Sequence, residues 1–322
     1  MSFILKALVL MASVSGLTMT STALAQYPDK PIRFIVSFPP GSGTDTNARY
    51  TAKRLQEKLG MPVTVENRPG GNSFMAVDQV VKAKPDGYTL LFSSNSPVST
   101  NVVMFKDLPY DPVKDLTPLA KLGFGAMGVA VPASSPIQSI EQLVVEAKKR
   151  PGALNYGSGS ASYQIATELF LQQAGIKANH VPYRGASAAV TDLAGKQIDF
   201  VFADYGALIP LADNKSIRVI AATGDQRLKR APDVPTLQEL GYKDYYMVNW
   251  VALFGPAGLP EDVQATLSKA MVDIYSDQES IDFLDRMSWE IFPGDGKALA
   301  EFQQSEIKRW SDAAKQANIP QQ

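Results

Sequence analysis

The sequence predicts an α/β protein built as two α/β lobes joined by a two-crossover hinge, and three observations carry that reading. Short β-rich runs alternate with helical patterns of about ten to fifteen residues, the signature of βαβ units around a largely parallel sheet. The string Gly-Ser-Gly occurs at Gly41-Ser42-Gly43 and again at Gly157-Ser158-Gly159, each time between a strand and the first turn of a helix. Two glycine-bearing stretches, 122–128 and 249–258, punctuate the chain where it would pass from one unit to the other and back. Residues 126–250 then form one lobe, while 26–125 and 251–322 together form the other. A single large doubly wound domain with internal loops is the alternative wiring.

The first residues carry Lys6, an apolar stretch over 7–17, and Ala23-Leu24-Ala25 before Gln26, the pattern of a secretory signal peptide cleaved after Ala25. That stretch is short for a membrane anchor and runs into Thr18, Thr20, Ser21 and Thr22. No later segment has the roughly 18 apolar residues that a spanning helix needs, so a soluble protein outside the cytoplasm is expected. Removing Lys6 takes the formal charge from −1 to −2, which gives no reason to expect a polyanionic partner, nucleic acid included. With no Cys and His180 as the single His, disulfides and thiolate or His-rich metal sites are excluded, and neither metal nor cofactor is expected.

In chain order, the first strand covers 32–38 and leads into Pro39-Pro40-Gly41-Ser42-Gly43-Thr44-Asp45. Ala48, Ala52, Leu55 and Leu59 then recur at helical spacing until Gly60 and Pro62 stop the helix. Strands follow at 63–66, 89–93 and 127–131. Leu154-Asn155-Tyr156 opens the second loop, after which Ile165, Leu169 and Gln173, flanked by Ala166 and Phe170, repeat the helical pattern up to Gly175. Strands at 179–183, 198–202 and 217–222 and amphipathic helices at 261–275 and 296–315 complete the reading.

Glycines let the backbone approach a ligand closely, serines supply neutral donors, and a helix N-terminus offers unpaired N–H groups at a positive dipole end. Two such loops more than a hundred residues apart point to one anionic ligand held between two lobes. A nucleotide does not fit. The first loop lacks the Walker Lys and the third small residue of a dinucleotide fingerprint, and Asp45 would repel a pyrophosphate. Asp45 is read instead as a partner of the helix dipole or a fixer of the loop's amides, leaving Ser42, Gly43 and Thr44 to meet the ligand. In the second loop Ser158, Ser160 and Ser162 alternate with Gly157, Gly159 and Ala161, which aims hydroxyls and amides at one carboxylate without adding charge.

Tyr183 and Arg184 end a strand at the same sheet edge, and the strand over 198–202 delivers Ala203 and Asp204 to its C-terminal end, where ligands collect in open α/β sheets. Asp204 either binds a polar ligand group or caps the next helix. Ser94, after the strand at 89–93, joins the candidates, and Phe38, Phe124 or Trp250 could form an apolar wall. His180 is read as a structural histidine at a strand start. A secreted serine hydrolase using Ser187 or Ser158 is a rival of another class, but Gly185-Ala186-Ser187-Ala188-Ala189 lacks the final Gly of a nucleophile elbow, and the single His is distant in sequence.

Taken together, Tyr27-Pro28, Phe38-Pro39-Pro40-Gly41 with Thr44-Asp45, Ala48-Arg49, Glu66-Asn67-Arg68-Pro69-Gly70-Gly71, and Lys84-Pro85-Asp86-Gly87-Tyr88-Thr89 form an ordered set. It continues through Tyr156-Gly157-Ser158, Glu168-Leu169-Phe170, His180-Val181-Pro182-Tyr183-Arg184-Gly185, Ala221-Ala222-Thr223-Gly224, Asp233-Val234-Pro235-Thr236 and Pro256-Ala257-Gly258-Leu259-Pro260. The set resembles the tripartite tricarboxylate transporter receptors, the Bug-type extracytoplasmic solute-binding proteins, over essentially the whole mature chain. The resemblance implies a type II periplasmic-binding-protein fold closing like a Venus flytrap on a small carboxylate. It implies carboxylate contacts from Phe38 to Asp45 and from Gly157 to Ser162, partly through water, and delivery to a membrane permease of large and small subunits with no ATPase. Ligands of the family include citrate, other di- and tricarboxylates, amino acids, nicotinate-like acids and terephthalate. The chain departs from the family at Ser42, where a further Gly is usual, at Gln164, where a His is usual, and at Ala203-Asp204, where Asp-Asn is usual. With no strong basic cluster near the loops, a mono- or dicarboxylate bound by a monomeric receptor is expected. A co-receptor that presents the ligand to a membrane sensor kinase is the alternative within this class.

Overall fold

The computed structural model describes residues 27–322, so the signal peptide read over 1–25 lies outside the described residues. The chain runs β1 (Ile32–Val36), α1 (Gly43–Leu59), β2 (Val63–Asn67), α2 (Phe74–Val81), β3 (Thr89–Ser94), a π turn over Ser96–Thr100, α3 (Asn101–Met104) and β4 (Leu116–Pro132). It continues through α4 (Ile140–Lys149), β5 (Asn155–Ser158), α5 (Ala161–Ala174), β6 (Asn179–Pro182), α6 (Ala186–Ala194), β7 (Phe200–Asp204), α7 (Tyr205–Asp213) and β8 (Ile217–Ala222). The last elements are β9 (Val248–Pro256), α8 (Glu261–Ile274), α9 (Gln278–Arg286), β10 (Trp289–Asp295) and α10 (Gly296–Gln316).

In β1, Ile32, Phe34 and Val36 join one buried cluster and Ile35 another, the alternation of a strand covered on both faces. α1 starts on Ser42, whose Oγ accepts from Asp45 N at 3.2 Å, and stops at Gly60, which takes φ +71° and donates its N–H to Gln56 O. α5 stops in the same manner at Gly175.

β4 organises the whole. Its first part pairs antiparallel with β9 from Leu116 to Ala126 and with β10, while Met127 to Pro132 pairs with β7 and β8. One sheet therefore reads β2-β1-β3-β9-β4-β10 and the other β8-β4-β7-β5-β6, with β4 common to both. The stretches expected as crossovers are built as strand: 122–128 lies inside β4 and 249–256 inside β9. The glycines there serve packing rather than turning. A Cβ on Gly125 would fall 2.5 Å from the Trp289 ring, and one on Gly123 2.9 Å from Glu290 O. α10 does not stay with one sheet, because Trp310, Ala313 and Ala314 bury in the cluster formed by α5, β7 and their neighbours.

Candidate ligand-binding cleft

The loop between β1 and α1 is held from below by Asp45. Its carboxylate accepts from Gly41 N at 2.9 Å, Arg49 Nε at 3.0 Å and Asn67 Nδ2 at 2.8 Å, and Asn67 in turn donates to Phe38 O. Burial pushes the Asp45 pKa up, but the bonds from Arg49, Asn67 and the Gly41 amide outweigh it and hold the carboxyl below its ordinary range. Of its two readings, Asp45 thus fixes the loop's own amides. Gly41 makes the turn at φ +81°, a conformation that favours glycine.

The loop between β5 and α5 is shorter than the sequence suggests, because Gly157 and Ser158 already pair as strand with β6. Ser160 Oγ meets Ser162 Oγ at 3.0 Å, and Ser162 Oγ meets Ser96 Oγ, just beyond β3, at 2.6 Å. A Cβ on Gly159 would lie 2.2 Å from Gly185 C and 2.3 Å from Ala186 N, so only glycine allows this loop and the start of α6 to touch. Further contacts cross between the sheets. Ser187 Oγ donates to Gly41 O at 3.4 Å, and the site of a Cβ on Gly185 lies 2.7 Å from the Pro39 ring.

Between these loops lies a cleft of about 330 Å³. Of the residues singled out from sequence, Phe38, Ser158, Gly159, Ser160, Ala161, Tyr183 and Arg184 line it. Ser37, Asn72, Ser96 and Asn101, which the sequence did not single out, line it as well, as do Gln164, noted as a departure from the family, and His180, read as structural. Ser42, Gly43, Thr44, Asp45, Ser94, Ala203 and Asp204 do not line it; all are buried. Ser42 is committed to capping α1. Trp250 is core, 1% exposed, with its Nε1 donating to Glu306 Oε2 at 2.8 Å, and Phe124 packs edge-on to Phe292.

Asp204 makes no capping bond to α7; it accepts from Asn249 Nδ2 and from Tyr163, and burial raises its pKa above the ordinary carboxyl value. A Cβ on Gly43 would stand 2.8 Å from Asp204 Oδ2, so this side chain reaches the first turn of α1. Four buried groups around these strand ends lack a hydrogen-bond partner among the described residues: Ser37 Oγ, Asn47 Oδ1, Asn249 Oδ1 and both amide atoms of Asn95. Buried polar atoms ordinarily find a partner in protein, water or ligand. For Asn95 the sequence signal is the polar run Ser93-Ser94-Asn95-Ser96 at the C-terminal end of an otherwise apolar strand, where ligands bind in open α/β sheets.

His180 is not a remote structural residue. Its Nε2 lies 2.6 Å from Ser158 Oγ, because parallel pairing sets Tyr156 opposite His180 and Ser158 opposite Pro182. Burial lowers the His180 pKa. Tyr183 donates to Asp192 at 2.8 Å and, through burial and that neighbour, its pKa is pushed up to about 12. Arg184 is exposed, forms no ion pair among the described residues, and is the one charged side chain on the lining.

Two sheets sharing a strand, with the helix-start loops of both meeting over a polar cleft, define a solute-binding protein of the periplasmic type. The chain belongs to the family described as "Tripartite tricarboxylate transporter family receptor", which matches residues 47–319. Protein BugT of Bordetella pertussis is 33% identical over 264 residues, covering 78% of this chain and 81% of that protein. Among solved structures, Rpa4515 of R. palustris with adipate superposes with a TM-score of 0.90 at 28% identity, covering 92% of this chain and 100% of that one. MatC (Rpa3494) of Rhodopseudomonas palustris with bound malate gives a TM-score of 0.84 at 25% identity, covering 89% and 99%. The expected family and fold class hold.

Proposed function

We propose that this protein captures a small organic mono- or dicarboxylate in the cleft between the β1–α1 and β5–α5 loops and delivers it to a membrane permease of separate large and small subunits. The observation that carries the reading is the donor set. The hydroxyls of Ser37, Ser96, Ser158 and Ser160 and the N-terminal end of α5 line the cleft, with Arg184 as the single charged side chain there among the described residues. Charge-assisted hydrogen bonds contribute about 1.5–3 kcal/mol each, so a few such bonds suffice for micromolar binding of one carboxylate group. One guanidinium matches a second carboxylate and leaves a third without a counter-charge. The adipate and malate bound by Rpa4515 and MatC are of this chemical class.

In this reading the protein is exported, loses its signal peptide near Ala25, acts in the periplasm as a monomer and does not turn its ligand over. Its lobes are 26–125 with 251–322, and 126–250; the change of partners in β4 between Ala126 and Met127 supports the first of these boundaries. An aromatic dicarboxylate such as terephthalate is within the proposed class. A thermal-shift screen followed by calorimetry against mono-, di- and tricarboxylates tests it: stabilisation by at least one mono- or dicarboxylate and little by citrate is expected, and a flat response to all would overturn it.

A further inference from the structure

Ser158 Oγ and His180 Nε2, 2.6 Å apart, both line the cleft, and His180 is the single histidine of the chain. The imidazole is held in place by stacking on Tyr156, with centroids 5.1 Å apart and planes at 24°. A serine has one O–H to give, and a neutral imidazole presents either an N–H or a lone pair at Nε2. When Nε2 is bare, Ser158 commits its O–H to His180 and turns only lone pairs toward the cleft, which a carboxylate rejects. When Nε2 carries a proton, His180 donates to Ser158 and the Ser158 O–H is free for the ligand. The imidazolium always satisfies this condition; the neutral ring does so in one tautomer of two.

Resting on the carboxylate reading above, we propose that Ser158 and His180 form a proton-linked recognition pair, in which binding of a carboxylate at Ser158 draws a proton from solvent onto His180. The neighbouring polar groups are bonded elsewhere. Tyr156 gives its hydroxyl to Glu168 of α5, Tyr183 gives its own to Asp192 of α6, and Asp199 accepts from Asn155 N at the far end of β5. Arg184, on the same lining, is the one fixed positive charge. Among the described residues Ser158 is the hydrogen-bond partner of the imidazole, and burial lowers its pKa in the free protein. A bound anion acts oppositely, favouring the charged ring. Affinity therefore rises as pH falls toward the free-state pKa of His180 and levels off below it.

The test is calorimetry with adipate and with malate as probes, in buffers of different ionisation enthalpy, between about pH 8 and about pH 6. The expected result is fractional proton uptake that grows as pH falls, with affinity rising about three- to ten-fold. His180→Gln should still bind but take up no proton, and in Ser158→Ala the uptake should largely vanish; a merely structural role would change affinity and leave the proton count alone. The single His Cε1–H resonance should shift toward the protonated position on ligand addition. Binding without proton uptake, or uptake that persists in either variant, overturns the pair while leaving the receptor function standing. A protein that binds none of the carboxylates overturns both.

Discussion

Ser96 Oγ, just after β3, and Ser162 Oγ, in the first turn of α5, lie 2.6 Å apart and join the two sheets by a direct side-chain hydrogen bond. Both serines are buried, and Ser162 extends the chain of hydroxyls to Ser160 on the cleft lining. The bond bridges the two sheets, so it stabilises the arrangement in which they meet. Ser96→Ala and Ser162→Ala should each cost about 1 kcal/mol of closure. Carboxylate dissociation constants should rise roughly five-fold by calorimetry, with the ligand-free melting temperature nearly unchanged. Unaltered affinity in both variants would refute a role in closure.

Ser42 carries a different expectation from Ser158, although the two occupy matching Gly-Ser-Gly strings. Its Oγ caps α1 through Asp45 N, so Ser42→Ala should lose about 1 kcal/mol of folding stability. Thermal melts should show a drop of about 2 °C or more in the ligand-free protein. A variant that melts like the parent but binds poorly would place Ser42 at the ligand instead.

Arg184 is exposed and forms no ion pair among the described residues, so its contribution to binding is reduced by solvent screening. Arg184→Gln should weaken a dicarboxylate by about five-fold and a monocarboxylate of the same length by less than about two-fold. Raising the salt concentration should shrink the difference. Equal losses for both ligands would place the second carboxylate away from Arg184.

Asp204 gives the folded protein a pH dependence of its own. Burial raises its pKa in the folded state, so the native protein holds a proton that the unfolded chain releases. Its contribution to stability is complete below the unfolded-state pKa and is lost as pH rises through the folded-state value. Asp204→Asn, which stays uncharged, should flatten this part of the stability profile above the ordinary carboxyl range, read as denaturant midpoints across pH. A profile unchanged by the substitution would mean that Asp204 is not the group responsible.

The legible parts of this chain are those whose cause is local. The helical spacing of Ala48, Ala52 and Leu55 and the stop at Gly60 were enough to read α1, and the strand read over 217–222 occupies those same residues. The glycines of 122–128 mark a crossover candidate in the sequence but do not show it to be strand, because their packing reason is Trp289, more than 160 residues further on, whose ring packs where a Cβ on Gly125 would sit. Gly157 and Ser158 were read as loop because only pairing with β6 makes them strand. Asn95 and Asn249 escape notice because a polar residue beside a strand end looks like any loop residue until its buried amide, with an atom left unpartnered among the described residues, is seen.

By itself, then, the sequence determined the alternation of strands and helices, the two serine-glycine loops at helix starts and the family to which the chain belongs. All of these rest on short-range periodicity, turn chemistry and ordered motifs. Tertiary structure decided which of two like serines caps a helix and which faces the cleft. It also brought His180 to Ser158 across 22 residues and Ser162 to Ser96 across 66, and it turned Asp204 inward to Asn249. The reason is that strand register and sheet sharing through β4 set those distances, and register is a property of the packed whole that no local stretch encodes.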